Sequence, residues 1–139
     1  MILKMEPDAI NNIDAMYREE LLEYYHNPAN KGTIANADIQ FSDKNPLCGD
    51  SVDIYVKLEV KDRIITQMRF VGTGCVISMA SAAIVSEYAE GKSIDEMQRM
   101  TREDMLGLLG LQLTPSRVKC AMLALTALKK GIVDYESKK

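Results

Sequence analysis

The sequence predicts an α+β fold: a small three-stranded antiparallel sheet with helices packed on one side. Three observations carry that prediction. From Val52 to Val60 the alternation is complete, with Val52, Ile54, Val56, Leu58 and Val60 facing one way and Asp53, Tyr55, Lys57 and Glu59 the other, as a half-buried strand requires. Lys61-Asp62-Arg63 then makes a short polar turn, and Ile64 to Val71 supplies a partner strand in which Met68 and Phe70 continue one face. Finally, Cys120 to Leu128 (CAMLALTAL) is apolar nearly all round, the signature of a largely buried helix.

The remaining elements follow in order. Residues 14 to 25 place Met16, Tyr17, Leu21 and Tyr24 at helical spacing, with Asp14 able to cap the start and Pro28 and Gly32 beyond the end. Ala37 to Asp43 reads as a short strand. After the hairpin, Gly72-Thr73-Gly74-Cys75 leads into a helix from Val76 to Glu90, and Gly91 offers a C-terminal stop. Within it Ser78-Met79-Ala80-Ser81-Ala82-Ala83 keeps side chains small, so the helix can lie close against the sheet. Ser93 with Glu96 and Thr101 with Asp104 have capping-box spacing and predict two short helices between residues 93 and 109. Thr114 as cap and Pro115 in the first turn open the last helix, which Gly131 is expected to close. The expected organisation is one domain over residues 1–139, with 1–13 and 134–139 as flexible tails.

Composition excludes several classes. A 47% hydrophobic and 27% charged chain is neither disordered nor collagenous, and no apolar run approaches the roughly 18 residues a membrane span needs. The amino end has neither a signal-type apolar stretch nor an Arg-rich transit pattern, so the expected address is cytoplasmic. A net charge of -3 is too mild for a nucleic-acid binder. The sign is nevertheless uneven, with six Lys or Arg against two acids from Pro115 onward. Such a basic end suits either an acidic partner or a solvated helix face.

Three cysteines, Cys48, Cys75 and Cys120, stand 27 and 45 residues apart. An odd count closes no disulfide framework, and without a CxxC pair any shared site must be assembled by the fold. Each falls at or near an element boundary: Cys48 in the turn before the long strand, Cys75 at a helix start, Cys120 in the second turn of the last helix. The amides at a helix amino end favour anions, and the thiolate is both nucleophile and metal ligand. Read locally, the thiols fit two accounts equally: small buried hydrophobes, or three quarters of a tetrahedral site for zinc or iron–sulfur chemistry with a carboxylate or a histidine as fourth ligand. Asp50 lies two residues from Cys48, whereas the only histidine, His26, sits at a helix end where capping or hydrogen bonding suits it better.

Four blocks in order then match a known family. They are Tyr25-His26-Asn27-Pro28-Ala29-Asn30-Lys31-Gly32, Asn45-Pro46-Leu47-Cys48-Gly49-Asp50, Gly72-Thr73-Gly74-Cys75-Val76-Ile77-Ser78-Met79-Ala80-Ser81, and Arg117-Val118-Lys119-Cys120-Ala121 with Leu123, Ala127 and Leu128 beyond. Together, over roughly residues 16 to 133, the chain resembles the IscU/SufU family of iron–sulfur cluster assembly scaffolds, related to the amino-terminal domain of NifU. The resemblance implies an assembly site of Cys48, Asp50, Cys75 and Cys120. That site would take sulfur from a cysteine desulfurase and iron from a donor, build a transient 2Fe-2S cluster, and pass it to recipient apoproteins. Cys120, flanked by Arg117 and Lys119, is the candidate sulfur acceptor.

Two departures from the family pattern shape these expectations. IscU-type members carry a histidine immediately before the third cysteine and, before that, a Leu-Pro-Pro-Val-Lys segment read by a dedicated Hsp70-type chaperone. Here Lys119 and Thr114-Pro115-Ser116-Arg117-Val118 occupy those positions, which removes the basis for that partner. A lysine amine, protonated at neutral pH, is a poor substitute ligand, so Asp50 becomes the expected fourth donor. SufU-type members share the Arg-x-x-Cys pattern but carry an insertion between the second and third cysteines for which this chain has no room. The expectation is a scaffold rather than an enzyme. The alternatives are a zinc-dependent sulfurtransferase using the same four residues, with zinc in the apo or as-purified form, and zinc as a fixed staple.

Overall fold

Alternating burial builds the sheet. In the computed structural model, which describes residues 19, 22–28, 30–46, 49–110 and 113–138, three antiparallel strands lie in chain order: β1 (Ile39–Asn45), β2 (Asp50–Glu59) and β3 (Ile64–Thr73). Val52, Ile54, Val56 and Leu58 of β2 are buried, while the residues between them are half-exposed. Val60, expected to complete that row, is instead 62% exposed in the turn beyond the strand. Glu59 is the reason: its carboxylate accepts from the Lys61 and Asp62 amides at 3.1 and 2.7 Å, and its carbonyl from the Arg63 amide at 2.8 Å. These bonds end the strand one residue early.

β3 contains a bulge that the alternation did not reveal. Lys57 pairs with Gln67 but Leu58 pairs with Ile65, so Thr66 is the extra residue, and its hydroxyl donates to the Lys57 carbonyl at 3.0 Å. The extra residue shifts the phase, which lets Ile65, Met68 and Phe70 all reach the core.

Of the helix expected over residues 14 to 25, the structure describes Glu19 and residues 22–26 (α1) as helical; Asp14, Met16, Tyr17 and Leu21 lie outside the described residues. The later helices are α2 (Val76–Ala89), α3 (Ile94–Arg99), α4 (Arg102–Leu109) and α5 (Pro115–Ser137). Both capping boxes form reciprocally, Ser93 with Glu96 and Thr101 with Asp104. The Thr101 amide and hydroxyl, by donating to Asp104, hold its carboxyl below the usual range. α5 packs on β1, β2 and α2, while α2 covers β3, so the helices gather on one side of the sheet as predicted. Between them lies one apolar cluster in which Ile54, Ile65, Phe70, Leu125 and Leu128 are essentially inaccessible. Each fully buried side chain of this size contributes about 1.5–3 kcal/mol.

Gly131 does not close the last helix, and residues 134–137, assigned to a tail by the sequence, form its final turn. Its role is proximity. A β-carbon there would stand 2.9 Å from Ile39 Cγ2 and 3.1 Å from Phe41 Cβ, so the missing side chain lets α5 lie directly on β1. At an exposed helical site Gly→Ala stabilises by about 1 kcal/mol. Here the sign reverses: Gly131→Ala is expected to lower unfolding stability by about 1–3 kcal/mol through overpacking, measured as a reduced urea midpoint at unchanged slope.

Candidate metal and sulfur centre

A buried carboxylate opens β2. Asp50 is 6% exposed, pairs in register with Asn45 at the end of β1, and accepts a hydrogen bond at Oδ2 from the Ser78 hydroxyl of α2. A buried carboxylate needs such a donor, because desolvation without one is severe. Ser78 is 1% exposed and also engages Cys75, with its backbone N–H donating to Cys75 Sγ at 3.5 Å and its Oγ the same distance from that sulfur. Cys75 is the N-cap of α2, with extended backbone geometry (φ -74°, ψ 172°), and its sulfur occupies the place of the usual capping oxygen.

The third donor comes from α5. Cys120 is 5% exposed, in the second turn after Pro115, and one ligand atom each from Asp50, Cys75 and Cys120 lies within 4.8 Å of the others. A tetrahedral cation bound at about 2.0–2.3 Å sets its donors about 3.3–3.8 Å apart, so the three need to close by about 1.5 Å at most. Two thiols and a carboxylate suit zinc or iron, which accept both sulfur and oxygen.

Three of the four predicted site residues thus come together. Cys48 lies outside the described residues. Lys119 is exposed beside buried Cys120, and Arg117 is exposed as well. His26 stands apart from the donor cluster: it is exposed at the end of α1, edge-on to Tyr25 with ring centroids 5.3 Å apart. With Lys31, Phe70, Gly74 and Met79 it lines a groove of about 330 Å³ beside the loop that leads to Cys75. The Asn30-Lys31-Gly32 segment straps this region to β3. Asn30 Nδ2 donates to the Met68 carbonyl at 2.9 Å, the Asn30 carbonyl accepts from Phe70 N–H at 3.0 Å, and Gly32 N–H donates to the Phe70 carbonyl at 2.8 Å.

Two contributors escaped the sequence reading. Ser78 looked like one more small packing residue; the signal was its place three residues after a helix-capping cysteine, where a capping side chain finds its amide. Gly74 was given no role of its own in the segment leading to Cys75, yet a β-carbon there would stand 2.9 Å from Asp50 Cγ and 3.1 Å from its Cβ.

A small antiparallel sheet backed on one side by helices, with a carboxylate and two thiols converging from a strand start and two helix starts, defines an α+β protein with a candidate thiol–carboxylate metal site. More specifically, the chain belongs to the NifU-like N terminal domain family, whose model matches residues 16–139. It is 38% identical over 120 residues to the iron-sulfur cluster assembly scaffold protein IscU 1 of Archaeoglobus fulgidus, covering 86% of this chain and 76% of that protein. It is 34% identical over 142 residues to the zinc-dependent sulfurtransferase SufU of Bacillus subtilis, covering 90% and 95%. The amino-terminal part of a NifU-like protein from Brucella abortus has the same fold at a TM-score of 0.74 and 22% identity, covering 91% of this chain and 99% of that one.

Gly74→Ala tests the close approach over Asp50. The added methyl is expected to displace the carboxylate and weaken Zn2+ affinity on the order of tenfold while leaving the circular dichroism spectrum unchanged, as measured by competition with a chromophoric chelator.

Proposed function

We propose that this protein is an iron–sulfur cluster assembly scaffold that builds a transient 2Fe-2S cluster for transfer to apoproteins. The observation that carries this reading is the convergence of Asp50, Cys75 and Cys120 within 4.8 Å. Cys48 completes the set as fourth donor. Standing two residues from Asp50, its Cα is within about 7 Å of that of Asp50 in any conformation. Iron and sulfide are substrates here rather than resident cofactors, and exchangeable thiolates supported by a carboxylate suit a cargo that must leave.

Sulfur arrives from a cysteine desulfurase as a persulfide. An acceptor thiolate attacks its outer sulfur, forming a new persulfide and releasing the donor as a thiolate. Cys120 is the proposed acceptor, because exposed Arg117 and Lys119 flank it and would draw an acidic partner face. Its 5% exposure means that the start of α5 has to open for the attack; Cys75, half-buried, is more accessible than Cys120. The second reading, a zinc-dependent sulfurtransferase, is favoured by the Arg117-x-x-Cys120 block, by Lys119 in place of a histidine, and by the likeness to the Bacillus subtilis protein. Among the described residues no helix is long and apolar enough to cross a membrane.

Anaerobic reconstitution with iron, cysteine and a desulfurase separates the readings. A 2Fe-2S absorption spectrum with iron and sulfide in near-equal amounts supports the scaffold; retained zinc together with persulfide transfer supports the sulfurtransferase, and zinc that resists chelators without persulfide a staple. Asp50→Ala is expected to slow cluster transfer several-fold, because the carboxylate is the weakest iron ligand and so the easiest to exchange; faster transfer contradicts it. Cys120→Ser is expected to abolish persulfide loading in mass spectra, and undiminished loading would move the acceptor role to another cysteine.

A further inference from the structure

Each of the three described donors sits at or near the start of an element, and one residue touches two of them at once. Ser78 donates its hydroxyl to Asp50 Oδ2, gives its backbone N–H to Cys75 Sγ at 3.5 Å, and places its Oγ 3.5 Å from the same sulfur. It is 1% exposed, so water does not compete for these bonds. On the other side, Gly74 leaves no more room than Asp50 itself fills.

We propose that Ser78 is a positioning residue for metal capture: it holds the Asp50 carboxylate in the ligating orientation and ties it to Cys75, so the site is organised before any cation arrives. The serine hydroxyl anchors the carboxylate at Oδ2 and so fixes how the group faces the two thiols. Hydrogen bonds of this kind from a neighbouring residue fix the orientation of a ligating carboxylate, and their loss typically weakens metal binding 10–100-fold. The helix supplies the rigidity. Ser78 lies in the first turn of α2, whose buried face of small residues is packed against β3 and α5. Ser78 binds no metal itself, so its influence runs through Asp50.

The inference rests on Asp50 and Cys75 being metal donors, and a double-mutant cycle separates failure of that reading from failure of the inference. Co2+ affinity is measured by the thiolate charge-transfer and d–d absorption bands for the parent, Ser78→Ala, Asp50→Ala and the double variant. Alanine is the strongest helix former, so Ser78→Ala keeps α2 intact. The expected result is a loss of about tenfold or more for Ser78→Ala in the parent, with d–d bands shifted toward those of Asp50→Ala, and less than a twofold further loss in the Asp50→Ala background. Equal losses in both backgrounds would make Ser78 a merely structural residue and overturn the inference. So would an unchanged affinity in the parent. Absence of any Co2+ thiolate band in the parent would overturn the donor reading itself and the inference with it.

Discussion

A carboxylate withdrawn from water at the first residue of β2 is the constraint around which the rest of the centre is arranged. Asp50 is 6% exposed, and an ionised carboxylate at that depth is tolerable only with donors and partners around it. The pairing of Asn45 with Asp50 fixes where β2 begins, and Gly74 lets the chain leaving β3 pass close by. α2 must then start where its first turn can offer Ser78 to the carboxylate, which puts Cys75 at the N-cap. Once the carboxylate is satisfied, the position of one thiol is no longer a free choice.

The position of the other thiol depends on a thin interface between helix and sheet. α2 buries serine and alanine at most of its contact positions, and Gly131 allows α5 onto β1 without an intervening side chain. At its far end α5 is pinned by Arg63, which donates to Glu136 and, at 3.1 Å, to Asp95 of α3. Asp95 first and Glu136 second hold the guanidinium well above its ordinary pKa. The same residue takes the left-handed conformation (φ 61°) that closes the β2–β3 turn. From Cys120 to Glu136 the helix runs about 24 Å, so the ion pairs anchor one end while the other presents a donor.

Much of this was legible in residue order. The two-residue alternation of β2, the paired caps before α3 and α4, and the apolar circumference of α5 are local signals, and all four elements form, although β2 ends one residue early and α5 runs past Gly131. What escaped was set by contacts distant in sequence. The early end of β2 comes from the Glu59 side chain folding onto the turn, and the phase of β3 from one inserted threonine. Gly131 reads as a helix stop because a lone glycine in a helix weakens it, and only the closeness of Ile39 shows why it is there. Likewise, the block around Cys75 contains Ser78 but gives it no role, because its contact with Asp50 exists only when β2 and α2 are side by side.

The three described donors come from positions 50, 75 and 120, carried by a strand and two helices that meet only in the folded chain. An unfolded chain presents them as separate weak ligands, so cargo bound at the site counts almost entirely toward the native state. Occupancy at a hundredfold excess over Kd adds about 2.7 kcal/mol to the free energy of unfolding. Under the proposed role, each delivery therefore withdraws part of the protein's own stability. A scaffold that has just handed over its cargo opens more often than a loaded one, so proteases sampling the open state would clear empty molecules first.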